Sequence, residues 1–185
     1  ALYFRFSIID SSFNIFIEDQ LVTHECLKDL AENTEFLWRI NGFTDPYVQD
    51  LESRFSPVDN EVKALGTSLN IQGFIASVRK PRDLSIMTTE ERVGIDLFVN
   101  GRLRERDILK HIPTSRVTEN YLYGQIHFNE LDEGGDRFTS SREGVVADDP
   151  KYKSFLEDFK KEVILKIIND WDKLRRAHRK DGDSE

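Results

Sequence analysis

Cysteine is almost missing from this 185-residue chain, with Cys26 the single example. One thiol excludes a disulfide framework, a CxxC redox pair and zinc sites built on paired cysteines, and it suits a reducing cytoplasm. Long apolar runs are missing too. Nothing approaches the ~20 residues that span a bilayer, and no basic stretch followed by an apolar one marks a signal peptide. The sequence therefore reads as soluble and cytoplasmic, with no membrane partner. Basic charge is in deficit: 26 Lys and Arg against 34 Asp and Glu leave a formal charge of −8. That balance excludes a protein that is basic all over and grips nucleic acid non-specifically.

Phosphate-binding signatures are absent as well. No GxxxxGK[ST] occurs and no GxGxxG opens a helix after a strand, so the chain is not expected to hold a nucleotide by itself. The four histidines, His24, His111, His127 and His178, lie far apart with no HExxH, and no zinc or other metal site is expected. Asn129–Gly135 has the polar look of a calcium loop, but Leu131 stands where an oxygen ligand is needed. Ser140 and Ser141 lack a nucleophile elbow and a neighbouring histidine, which sets serine hydrolysis aside.

What is present is enough for one core. Hydrophobic residues make up 38% and charged ones 32%, within the globular range. The chain opens Ala-Leu-Tyr-Phe without an initiator methionine, as a piece of something longer would. Tyr3–Ile9 and Phe13–Ile17 read as a hairpin around Asp10-Ser11-Ser12. His24–Glu32 has helical spacing, Phe36–Ile40 is a strand, and Pro46–Phe55 suits a short helix capped by Asp45. Ile71–Val78 and Gly94–Val99 read as strands, the second closed by the hairpin signal Asn100-Gly101. Ile108–Ile112 is a short helical piece stopped by Pro113. Val117–Tyr121 leads into a strand with Leu122, Gly124, Ile126 and Phe128 on one face and Tyr123, Gln125 and His127 on the other. From Pro150 to Arg179 a long helix carries Tyr152, Phe155, Phe159, Val163, Ile167, Trp171 and Leu174 as its apolar stripe. The expected fold class is α+β, a mixed sheet with this long C-terminal helix. Its domains are 1–149, the helix 150–180 packing on it, and a disordered tail 181–185.

The order of elements in Gly94–Glu143 resembles the middle domain of the heat-shock chaperone ATPases: an apolar strand, Pro113, the Gly-containing strand Leu122–Phe128, then Ser141-Arg142-Glu143. Phe98-Val99-Asn100-Gly101-Arg102 is similar to the Val-Asn-Gly-Arg hairpin of MutL transducer domains. Both belong to the superfamily of gyrase, heat-shock chaperone, histidine kinase and MutL ATPases. The resemblance implies a left-handed β-α-β transducer unit. It implies a fragment that is not catalytic alone but couples ATP binding and hydrolysis, with ATP and Mg in the parent protein, to conformational change. Its implied partners are an N-terminal ATP-binding domain of the same chain and a second copy of the parent in a homodimer. Arg142 is then the γ-phosphate contact, Lys80 in Arg79-Lys80-Pro81-Arg82 the alternative, and Ser141 and Glu143 support the loop. The different reading is a stand-alone protein- or DNA-interaction module with no ATPase role.

Two further basic segments stand out. Arg102, Arg104 and Arg106 alternate along a strand, which would put all three on one side and guard a sheet edge against pairing. Lys173–Lys180 holds five Lys or Arg and no acid. Such a run complements the helix dipole, and as the sharper reading Arg175, Arg176 and Arg179 contact nucleic acid or a partner protein.

Overall fold

A computed structural model describes residues 15–17, 19–56, 61–85, 92–134, 138, 144–146 and 148–182. The elements are β1 (Phe16–Ile17), β2 (Gln20–Leu21), α1 (Lys28–Glu32), β3 (Thr34–Ile40), α2 (Pro46–Arg54), β4 (Val62–Leu65), β5 (Gln72–Val78), β6 (Ile95–Val99), β7 (Arg102–Glu105), β8 (Leu122–His127), α3 (Pro150–Phe159) and α4 (Leu165–Gly182). The fold is α+β: six strands form one mixed sheet in the order β4-β3-β5-β8-β6-β7, with a long helix at the C-terminus. β3 is parallel to β4 across the α2 crossover, and β6 is parallel to β8. The other pairs in the sheet are antiparallel.

Local chemistry explains most boundaries. Asp45 caps α2, its carboxylate accepting from the Val48 amide at 2.7 Å, with Pro46 at the first helical position. Asn100 and Gly101 both take positive φ, 50° and 74°, and turn β6 into β7. The Asn129–Asp132 turn, the would-be calcium loop, braces that hairpin. The Asn129 side chain accepts from the Asn100 amide, the Asn100 side chain donates to Asp132, and Leu131 is buried. At the centre of the sheet Gly73 and Gly124 are required by close approach. A Cβ on Gly73 would lie 2.0 Å from the Gln125 carbonyl oxygen, and one on Gly124 2.1 Å from that of Phe74.

The sheet buries both faces. Phe36, Trp38, Ile75, Leu97 and Ile126 pack under Phe155, Phe159, Val163, Ile167 and Trp171 of the C-terminal helix. On the other face Leu37, Phe74, Ala76 and Tyr123 pack against Leu30, Tyr47, Val48 and Leu51 of α1 and α2. A chain of hydroxyls crosses that second core. Thr34 donates to the Leu30 carbonyl at 2.8 Å and meets the Tyr123 hydroxyl at 2.6 Å, and Tyr123 meets the Tyr47 hydroxyl at 2.9 Å.

Several expectations change. Residues 1–14 lie outside the described residues, and β1 pairs forward with β2, with Phe16 opposite Leu21 and Asp19 at φ 62° in the turn. β4 went unforeseen. The C-terminal helix is interrupted by a π turn over Lys160–Ile164 and runs on to Gly182. The row Arg102, Arg104, Arg106 does not form. β7 is an edge strand, but Leu97 pairs with Glu105 and Phe98 with Leu103, so Arg104 is the extra residue of a bulge. Its guanidinium turns inward over the Phe138 ring at 4.3 Å, while Arg102 and Arg106 stay exposed. Among the described residues no helix is long and apolar enough to cross a membrane.

Candidate nucleic-acid interface

Two of the basic segments meet at one end of the sheet. β5 ends at Val78, and Arg79 begins a tight connection in which the Arg79 amide donates to Asn33 O at 3.0 Å. Lys80 precedes a 3₁₀ turn over Pro81–Leu84 that Pro81 starts and Asp83 closes, the Lys80 amide donating to the Asp83 carboxylate at 3.1 Å. With its backbone tied down, the turn projects Arg79, Lys80 and Arg82 into solvent, Arg82 at 79% side-chain exposure. Arg92 is exposed on the same end, its guanidinium on the Asn120 carbonyl at 3.2 Å.

The tail of α4 lies against this turn because Arg175 fastens it there. The Arg175 guanidinium donates through Nε and Nη2 to one oxygen of Glu35, at 2.9 and 2.7 Å, and through Nη2 to the Arg79 carbonyl at 2.7 Å. It also lies 4.5 Å from the Tyr121 ring centre and 4.3 Å from that of Trp171. Both charges of the pair are mostly covered, at 17% and 16% exposure. Charge-assisted hydrogen bonds at this depth fix the geometry, and removing either partner leaves the other charge covered and uncompensated. One turn on, His178 packs edge-on against Phe36 at 5.1 Å. Arg179 lies four residues past Arg175, hence on the same flank of the helix, with Arg176 beside it; both are exposed. The result is an exposed basic surface drawn from two segments nearly a hundred residues apart.

Sequence-predicted residues therefore divide. Lys80, Arg176 and Arg179 are exposed on this surface, whereas Arg175 is spent internally on Glu35 and two aromatic rings. Ser141, Arg142 and Glu143 lie outside the described residues. Trp171 belongs to the core. Glu35 and Tyr121 went unnoticed in the sequence, because nothing local marks an acid that will meet an arginine 140 positions later.

A second polar group crosses the sheet interior: Asp96 on β6 beside Gln125 and His127 on β8. Asp96 accepts from the Asp107 amide at 2.9 Å, and burial pushes its carboxyl up to about 6. His127 lies between the Phe43 and Phe98 rings, each centred 5.2 Å away, and burial pushes it down to about 4. Among the described residues no group of three or more His, Cys, Asp or Glu is placed to hold a metal ion.

Comparison with known proteins adds one relation. The chain is 27% identical over 184 residues, 94% of its length, to a protein of Herpetosiphon aurantiacus named "Putative type II restriction enzyme HgiDII", and it spans 28% of that relative. No family model matches the chain, and no solved structure matches it. This similarity overturns the resemblance to the gyrase, chaperone, histidine kinase and MutL ATPases, and with it the transducer function. It follows nearly the whole chain, whereas the earlier likeness rested on about 50 residues and on motifs as short as Ser-Arg-Glu. The γ-phosphate roles given to Arg142 and Lys80 lose the resemblance that carried them.

Proposed function

We propose that this chain is one segment of a restriction-type, DNA-cleaving cytoplasmic protein, and that it contributes a contact to the phosphate backbone of duplex DNA. The observation that carries the reading is the similarity, along 94% of the chain, to a protein named as a type II restriction enzyme. The basic surface supports it in physical terms. The chain carries −8 overall, so a polyanion is repelled by most of it and approaches where Lys80 and Arg82 are exposed on the turn, and Arg176 and Arg179 on the helix tail that Arg175 joins to it. Arginine and lysine on a loop and a helix end supply phosphate contacts that position a duplex without reading its bases.

The test uses the parent protein with long unmodified duplex DNA and magnesium. Double-strand breaks are expected. The combined reversal Lys80→Glu, Arg82→Glu, Arg176→Glu and Arg179→Glu should weaken duplex binding by at least tenfold at physiological salt. Wild-type binding should fall with salt along a log–log slope of about −3 to −4, corresponding to roughly four neutralised phosphates. A parent that leaves DNA intact and binds no duplex at low salt would sink the proposal.

A further inference from the structure

The basic surface exists only while its two halves are held together, and one side chain of the helix reaches the basic turn directly. Lys80 and Arg82 stand on a turn fixed by Asp83 and by the Asn33 carbonyl. Arg176 and Arg179 stand on the last turns of a helix that Trp171 and Leu174 seat on the core and whose His178 ring packs on Phe36 at 5.1 Å, but none of these contacts reaches the basic turn. The link between them is the Arg175 guanidinium, which reaches Glu35 at the start of β3, the Arg79 carbonyl at the start of the basic turn, and the rings of Tyr121 and Trp171. Nε and Nη2 of this guanidinium are committed to Glu35 and to the sheet end, and the group is only 17% exposed, which leaves it poorly placed to meet a phosphate.

We infer that Glu35 and Arg175 are positioning residues that set the spacing between the two phosphate-contacting segments, with neither touching the DNA itself. This rests on the DNA-contact reading above and assigns its geometry. The assignment inverts what charge alone would do. Glu35 is a negative charge beside a surface meant for a polyanion, so removing it should tighten binding if only Coulomb attraction matters. If Glu35 holds Arg175, and Arg175 holds the tail, removing it releases Arg176 and Arg179 and weakens binding.

The experiment compares Glu35→Gln with Glu32→Gln. Glu32 is an exposed acid at the end of α1 paired only loosely with Lys28 at 3.8 Å, and its backbone carbonyl faces Arg79 at 3.4 Å. Binding of a short labelled duplex is titrated at several salt concentrations. Glu32→Gln should bind as well as wild type or slightly better. Glu35→Gln should bind about tenfold more weakly, with a log–log salt slope shallower by nearly 2 as two phosphate contacts are lost. The spacing is read separately and without DNA. Spin labels are placed at Lys80→Cys and Arg179→Cys in a chain where Cys26→Ser removes the native thiol. The label-to-label distance distribution should be narrow with Glu35 present and broad in Glu35→Gln, at thermal midpoints that keep both variants folded.

Equal distance distributions, or Glu35→Gln binding as tightly as Glu32→Gln, would overturn the positioning role while leaving the DNA reading intact. A flat wild-type isotherm at low salt would overturn the DNA reading and the inference built on it. The two failures are distinct, because only the second involves the unmutated chain.

Discussion

Asp96 and His127 sit on adjacent strands with opposite proton preferences. Asp96 is raised to about 6 by burial, and Arg106 and Lys110 nearby only partly offset this while Asp107 adds to it. Its contribution to stability is therefore complete below the unfolded value of 3.8 and is lost as pH rises through about 6. His127, lowered to about 4, behaves in reverse: its contribution is complete above 6.5 and is lost as pH falls through about 4. Between pH 4 and 6 the two slopes oppose, and each amounts to roughly 3 kcal/mol across its window. Urea unfolding at pH 4.5, 5.5 and 6.5 should show Asp96→Asn gaining stability with pH and His127→Phe losing it, with wild type flatter than either. Three parallel profiles would show that neither group titrates as its burial demands. At this scale the sequence identified side-chain type and little more. Tyr123, Gln125 and His127 were correctly placed on one face of their strand, but that this face is also covered depends on α1 and α2, which lie 70 and more residues earlier. Arg175 was visible as a cation and invisible as a clamp, since its partner stands 140 positions away.

The C-terminal helix shows how an element and its buried stripe can be legible while its internal geometry is not. Phe155, Phe159, Val163, Ile167 and Trp171 advance by four residues at each step, and a helix of 3.6 residues per turn would carry that stripe round its axis, off the sheet. The π turn over Lys160–Ile164 takes up the surplus residue and brings the stripe back to the core, so all five side chains are buried. It also presents Glu162 to the loop after β4, where the carboxylate accepts from the Thr67 hydroxyl at 2.6 Å and from the Ser68 amide at 3.3 Å. Deleting the exposed Lys161 should let the helix run as continuous α with its stripe in phase, at a cost within about 1–2 kcal/mol. Deleting the equally exposed Lys173 should cost more than about 3 kcal/mol, because it swings Leu174 and Arg175 by 100° and strands Glu35 unpaired. Thermal unfolding followed by circular dichroism measures both, and equal losses would refute the phase account. β4 escaped notice for a related reason: its four residues, three half-exposed and Ala64 exposed, alternate weakly, and a parallel partner reached through a helix leaves no turn signal between the strands.

At the scale of the whole molecule the sheet is a partition between two cores, and its middle strands are the hardest part to open. β5 and β8 have neighbours on both sides and apolar cover above and below. Amide exchange should therefore be slowest in Gln72–Val78 and Leu122–His127 and fastest in the edge strands β4 and β7; edge amides as protected as the centre would contradict this strand order. The α+β class and the terminal helix were legible because apolar periodicity is local. The strand order was not, because it depends on which distant faces find each other, and a family likeness drawn from element order and short motifs misled for that reason. The hydroxyl chain across the second core carries one more consequence. A hydroxyl has a single proton to give. Thr34 gives its own to the Leu30 carbonyl, so in the 2.6 Å contact the proton must come from Tyr123, and in the 2.9 Å contact from Tyr47. The Leu30 carbonyl, in the middle of a five-residue helix, thus dictates the direction of three O–H dipoles in series, through β3 and β8 to α2. Should α1 unwind, Thr34 would lose its acceptor and the whole row would become free to reverse, so these four elements share one polarity that is kept or lost together.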